Sequence, residues 1–159
     1  ATIRAARRDA RQGQTVEGGS TITQQYVKNV LVGNDRTLKR KITEATQAWE
    51  LERRSTKERI LELYLNVAEW GDGIYGAEAA SRYWFHKSAA SLLPEEAALL
   101  TAMLPAPRQR NPKHPNDHLK RRAFTVLELY TMYGQLTPDQ VAEARRYLEE
   151  MVAGPVAER

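Results

Sequence analysis

The chain holds no cysteine, which excludes disulfides and thiolate chemistry. No run of eighteen apolar residues occurs, so no segment reads as a membrane-spanning helix. Only three histidines are present, His86, His114 and His118. None sits at metal-ligand spacing, and each reads as a surface or loop residue. No segment shows convincing alternation of apolar and polar residues, so no strand is predicted. Repeats, low-complexity tracts and internal linkers are also missing. What remains is 159 residues, 42% hydrophobic, enough for one buried core. The expectation is a single all-α domain over residues 1–159.

Charge is unevenly spread. The net charge is +4, but residues 1–60 carry 13 Lys/Arg against 7 Asp/Glu, while residues 61–159 carry 11 against 13. A basic first part favours an anionic partner: phosphate, nucleic acid or an acidic membrane surface. A first helix over residues 2–12 adds to it, with Arg4, Arg7, Arg8 and Arg11 making one side basic.

The chain is organised around Glu17 to Glu52. Gly18-Gly19-Ser20-Thr21-Ile22-Thr23-Gln24-Gln25 opens the stretch, and Lys28, Arg36, Arg40, Lys41 and Glu44 follow. Paired glycines let backbone approach a ligand. Ser, Thr and Gln both donate and accept hydrogen bonds, as sugar hydroxyls require. Lys and Arg suit a diphosphate. The plainer reading is a loop and N-cap at Ser20 or Thr21 opening a helix through Lys28, with Arg40 and Glu44 an ordinary i,i+4 pair.

Further helices are predicted from Arg36 to Arg54, Lys57 to Ala68, Ala77 to Phe85, Pro94 to Leu104, Asp117 to Tyr133, and Thr137 to Met151. In the first of these, Leu38, Ile42, Ala45 and Trp49 recur at helical spacing and predict its buried side, with Glu44 on another face. Gly71, Gly73 and Gly76 spell G-x-G-x-x-G. A dinucleotide site is rejected, because that fingerprint needs a preceding strand and a helix precedes it here.

Four ordered elements, spread from Gly18 to Pro112, resemble the peptidoglycan glycosyltransferases (family 51 transglycosylases). Gly18 to Gln25 is similar to that family's G-x-S-T-I-T-Q-Q. Arg40-Lys41, Glu44, Ala48 and Leu51-Glu52 fit R-K-x-x-E-x-x-x-A-x-x-L-E. Lys57, Ile60-Leu61, Tyr64-Leu65-Asn66, Gly71, Gly73, Gly76, Ala80 and Phe85 fit the third element, with Trp84 where Tyr is usual. Leu92, Glu96, Ala98, Leu100, Pro107 and Asn111-Pro112 fit the last.

The resemblance implies a lysozyme-like helical domain with a substrate cleft between two lobes, the smaller touching the membrane. It implies polymerisation of lipid II into glycan strands, with release of undecaprenyl diphosphate. Lys28, Arg36, Arg40 and Lys41 are the candidates for the diphosphate. Ser20, Thr21, Thr23, Gln24, Gln25 and Asn66 are the candidates for sugar and phosphate groups. Glu44 matches the second of the family's two active-site glutamates, acting at the diphosphate directly or through Mg2+ or Mn2+; no organic cofactor is expected. The first glutamate belongs to an upstream E-D-x-x-F-x-x-H-x-G element that residues 1–17 do not contain. The expectation is therefore a chain beginning after that element, without its membrane anchor, whose activity alone is an open question. Implied partners are lipid II, the growing strand, the membrane surface and other cell-wall synthases, at the periplasmic face of a bacterial inner membrane.

Two other readings compete. A lysozyme-like hydrolase or lytic transglycosylase would share the fold, but cleaving a glycan needs no cation cluster before Glu44. A basic helical nucleic-acid-binding module rests only on the Arg-rich first helix and the charge bias. No helix-turn-helix or aromatic-basic pattern supports it, and no nucleic acid is expected as partner.

Overall fold

The structure is a computed structural model that describes residues 21–32 and 38–151. The expected Arg-rich helix over 2–12, the Gly18-Gly19 pair, Ser20 and Arg36 lie outside the described residues. The chain divides into two compact units, residues 1–68 and 69–159.

In the first unit, α1 (Ile22–Val27) runs into a π-helical turn, Lys28–Val32. Helices α2 (Leu38–Arg54) and α3 (Lys57–Val67) follow. Thr21 starts α1 with a capping box: its Oγ1 accepts from Gln24 N–H at 3.2 Å, and its own N–H donates to Gln24 Oε1 at 3.2 Å. Thr56 caps α3 in the same way, accepting from Arg59 N–H. Helix α1 packs on both α2 and α3, and Thr23, Val27, Ala48, Ile60 and Tyr64 are buried.

The predicted buried side of α2 is overturned. Ile42 is 63% exposed and Trp49 57%, and Ala45 is exposed too. The inward residues are instead Glu44 and Ala48, with Leu51 half-buried. Ile42, Ala45 and Trp49 do share a face, but it is the outer one; the Leu38 side chain lies outside the described set. The inward side is set by an ion-paired carboxylate, which a hydrophobicity pattern reads as polar.

The second unit opens with a hairpin the sequence did not show: β1 (Glu69–Gly71) and β2 (Ile74–Tyr75), antiparallel, with Glu69 opposite Tyr75 and Gly71 opposite Ile74. Strands of three and two residues are too short to display alternation. Gly76 follows at φ +88, in backbone territory that favours glycine, and starts α4 (Ala77–Phe85). The glycine-rich run is thus a hairpin and a helix start, with no phosphate cradle.

Helices α5 (Pro94–Met103), α6 (Asp117–Met132) and α7 (Pro138–Glu150) complete the unit. Helix α5 packs against α6 and α7. Leu99, Met103, Leu119, Leu127 and Leu148 are fully buried. Each contributes roughly 1.5–3 kcal/mol of apolar burial. Asn116 caps α6 by accepting from Leu119 N–H, and Thr137 with Gln140 forms a capping box that starts α7.

The N-terminus of α5 carries a cost. Glu96 is buried but satisfied: one oxygen accepts from Leu93 N–H at 2.8 Å and the other pairs with Lys87 at 3.0 Å. Glu95 is buried too, and burial pushes its carboxyl above the usual range, helped by the charges of Glu96 and Glu143 and opposed by its own backbone hydrogen bond and Lys87. A carboxyl raised in the folded state stabilises the fold at low pH, and this contribution is lost as pH rises through the raised value. Glu95→Gln should therefore raise Tm at pH 7.5 by roughly 2–4 °C, the equivalent of about 1 kcal/mol. The gain should vanish near pH 4 in a melting series; a gain that grew toward low pH would contradict this assignment.

Candidate functional site

Helix geometry brings Glu44 inward and places Lys41 one turn before it. Glu44 is 2% exposed, and its Oε2 accepts from Lys41 Nζ at 3.1 Å. Lys41 is half in solvent. A buried carboxylate is tolerated only when a cation and hydrogen bonds replace its water, and α2 supplies the cation from its own sequence. Gln47, one turn further on, has a buried Oε1 with no hydrogen-bond partner among the described residues. The inward side of α2 is therefore polar at two successive turns, which a purely structural helix avoids. Gln47 was not foreseen as a site residue; its i+3 spacing from Glu44 was the available signal.

The cations are partly visible. Lys28 is exposed at the start of the π-helical turn, which packs on α1 and α2. Its backbone N–H still bonds back to Gln24 and Gln25 carbonyls. Arg40 lies on α2, with its side chain outside the described set.

The hydroxyl and amide residues divide by task. Thr21 and Gln24 are engaged with each other in the capping box. Gln25 Oε1 accepts from Tyr64 Oη at 3.1 Å, tying α1 to α3. Burial pushes the Tyr64 phenol up, so it stays a donor at neutral pH. Asn66 donates to Glu62 O at 2.8 Å and is exposed on α3. Thr23 is buried and lines a mainly apolar cavity of about 640 Å³ inside the first unit, with Ile22, Glu52, Ser55, Lys57, Ile60 and Leu61. Lys57, Ser55 and Glu52 were not foreseen as site residues. Lys57 and Glu52 both stand at fixed positions of the elements above, which was the signal for them.

A divalent ion does not fit these residues unaided. Among the described residues no group of three His, Asp or Glu stands close enough to hold one, and Glu44 already shares an oxygen with Lys41.

The arrangement offers a buried carboxylate held beside one cation, Lys41, on the basic part of the chain. Coupling across the Lys41–Glu44 pair should be measurable. In a double-mutant cycle with Lys41→Met and Glu44→Gln, urea unfolding should show about 1 kcal/mol of interaction. Strict additivity would mean the pair is incidental.

Comparison with known proteins accords with this geometry. A family model described as Transglycosylase matches residues 1–131. The biosynthetic peptidoglycan transglycosylase of Alcanivorax borkumensis is 52% identical over 122 residues, 77% of this chain and 50% of that protein. The protein of the same name from Shewanella denitrificans is 54% identical over 110 residues, 69% of this chain and 48% of its own length. Penicillin-binding protein 1A of Aquifex aeolicus is 47% identical over 145 residues, 91% of this chain and 20% of that protein. The chain thus spans about half the length of the first two relatives. With residues 1–131 inside the family match and Glu44 held on α2 beside Lys41, this chain belongs to the Transglycosylase family.

Proposed function

We propose that this chain is the catalytic portion of a peptidoglycan glycosyltransferase that polymerises lipid II. The observation that carries the reading is the buried Glu44 held by Lys41 inside a family match that covers most of the chain. In the reaction, an acceptor sugar hydroxyl forms the new glycosidic bond at the donor's anomeric carbon. The bond from that carbon to the diphosphate oxygen breaks, and undecaprenyl diphosphate leaves with the electron pair. The hydroxyl proton passes to a base, a role the resemblance gives to a glutamate of the upstream element and not to Glu44.

This chain's own residues supply charge and position. Lys28, Arg36, Arg40 and Lys41 neutralise the departing diphosphate. Glu44 fixes Lys41 and offsets the mutual repulsion of the local cations. Thr23 and the cavity it lines hold the substrate near α1. Were Mg2+ or Mn2+ used, Glu44 would be the residue to hold it and the ion would supply further neutralisation, although the described residues alone make no complete site for it.

The outer face of α2 supports a membrane-surface partner. Ile42 and Trp49 are exposed, and the Arg53 guanidinium lies 4.7 Å over the Trp49 ring. Trp beside Arg suits the headgroup level of an anionic leaflet. No described helix is long and apolar enough to cross a membrane. The reading places the protein at the periplasmic face of a bacterial inner membrane, beside other cell-wall synthases. A hydrolase reading would predict digestion of soluble polymeric peptidoglycan instead.

Polymer formation from lipid II is the direct test, with lipid II binding as the second readout. In a chain carrying the upstream element, Glu44→Gln should lower polymer formation roughly 100-fold, and in this chain Lys28→Ala should weaken lipid II binding by about tenfold. An unaffected Glu44→Gln, or a folded chain that does not bind lipid II, would overturn the assignment. Separately, Trp49→Glu should reduce co-sedimentation with anionic liposomes several-fold; unchanged co-sedimentation would remove the membrane role from α2.

A further inference from the structure

A second recess, of about 300 Å³, lies entirely within the second unit, where the hairpin meets the end of α4 and the Pro107–Asn111 segment. Its packing is tight at the base. A Cβ on Gly71 would meet Ile74 Cδ1 at 2.8 Å and Trp84 Cζ2 at 3.3 Å, so glycine is what lets the hairpin lie against the indole. The Trp84 indole N–H donates to Trp70 O at 3.0 Å, which fixes the ring. Tyr83 stands edge-to-face to Trp84, with centroids 4.8 Å apart at 87°, yet is 58% exposed. An aromatic pair fixed at one ring and open at the other is an unusual surface for a helix end to keep.

The rim is polar and held. Arg108 donates to Glu69 at 2.8 Å and lies 3.7 Å from Asp72. Arg110 donates to Ala102 O at 2.6 Å. Asn111 Oδ1 accepts from Lys113 N–H, leaving its amide N–H2 for another partner, and the exposed Gln109 side chain bonds to no described residue. Glu69 and Asp72 both offset Arg108, and Arg110 is turned onto the Ala102 carbonyl with the charge of Arg122 near it, so the groups left open to a ligand are amides and a carboxylate. Those groups suit hydroxyls better than a diphosphate. A sugar ring has the matching chemistry. Its C–H face is apolar and electropositive, suited to the face of a tyrosine ring, and its edge is a rim of hydroxyls that amides and carboxylates can bond. The volume is at the small end of ligand sites.

We propose that this recess is a carbohydrate subsite that takes one neutral hexose or N-acetylhexosamine ring, stacked on Tyr83 and hydrogen-bonded by Gln109, Asn111 and Asp72. The identification of its natural ligand as a glycan strand rests on the polymerase reading above; the sugar binding itself does not.

The test is a titration of the isotope-labelled 159-residue chain with N-acetylglucosamine oligomers, followed by NMR. Three tryptophans give three indole N–H signals. The Trp84 signal should shift saturably while that of Trp49 stays fixed. Tyr83→Ala should weaken binding about tenfold and Tyr83→Phe should keep it, because stacking and not the phenol carries the contact. Gln109→Ala, which touches no internal bond, should weaken it several-fold. A silent Trp84 signal, or titrations unchanged in both Tyr83→Ala and Gln109→Ala, would overturn the site. Lipid II binding by the same samples reports separately. Its loss with the sugar titration intact counts against the polymerase reading alone, and its persistence with no sugar titration counts against this site alone.

Discussion

The first unit depends on the burial of one carboxylate. Successive residues of an α-helix are turned by about 100°. Once Glu44 faces inward, Ala48 and Leu51 fall within about 40° of it, while Ile42 and Trp49 are carried about 140–160° away. A single ion pair therefore sets what the whole of α2 offers on each side. Lys41 makes the inward carboxylate tolerable, and the large apolar side chains are left outside as a consequence. A helix optimised for stability alone would have been rotated the other way, with Trp49 in the core and Glu44 in water. Keeping the costlier rotation is what the polymerase reading explains, since a carboxylate that must act beside a diphosphate has to be held in place.

Much of the fold was legible because it is local. Helix starts at Pro94 and Pro138, the capping box at Thr137 and the helix ends at Gly134 and Phe85 are decided by a few neighbouring residues, and the structure has them. Helix α6 was equally plain: Leu119, Ala123 and Leu127 line its buried side at helical spacing, and nothing on it competes with them. What failed was the facing of α2, where an apolar period and a paired carboxylate compete. Periodicity counts the first and cannot see the second. The hairpin after Glu69 failed for a different reason: its pairing is set by the turn and by Gly71 against Trp84, a contact thirteen residues apart in sequence.

The candidate site was legible in its chemistry and less so in its division of labour. Glu44 and Lys41 come together as their i,i+3 spacing allows. The six-residue polar run was read as one sugar-facing surface, yet Thr21, Gln24 and Gln25 spend hydrogen bonds on starting α1 and joining it to Tyr64. A side-chain amide has donors and acceptors to spare, so the two tasks are compatible, but the sequence cannot say which atom does which. The cavity beside Thr23 was invisible for the usual reason: Glu52, Lys57 and Ile60 meet only through the turn between α2 and α3.

The two units also differ in the kind of ligand their charge can hold. Residues 1–68 carry 13 Lys/Arg against 8 Asp/Glu, and residues 69–159 carry 11 against 12. Where the second unit gathers arginines, at Arg108, it sets Glu69 and Asp72 against them. The same guanidinium that would attract phosphate in the open is thereby turned into a fixed, neutralised hydrogen-bonding plane beside Tyr83. Long-range attraction is spent in the first unit and cancelled in the second. On the polymerase reading, that difference would let an anionic group be drawn to the first unit without the second competing for it.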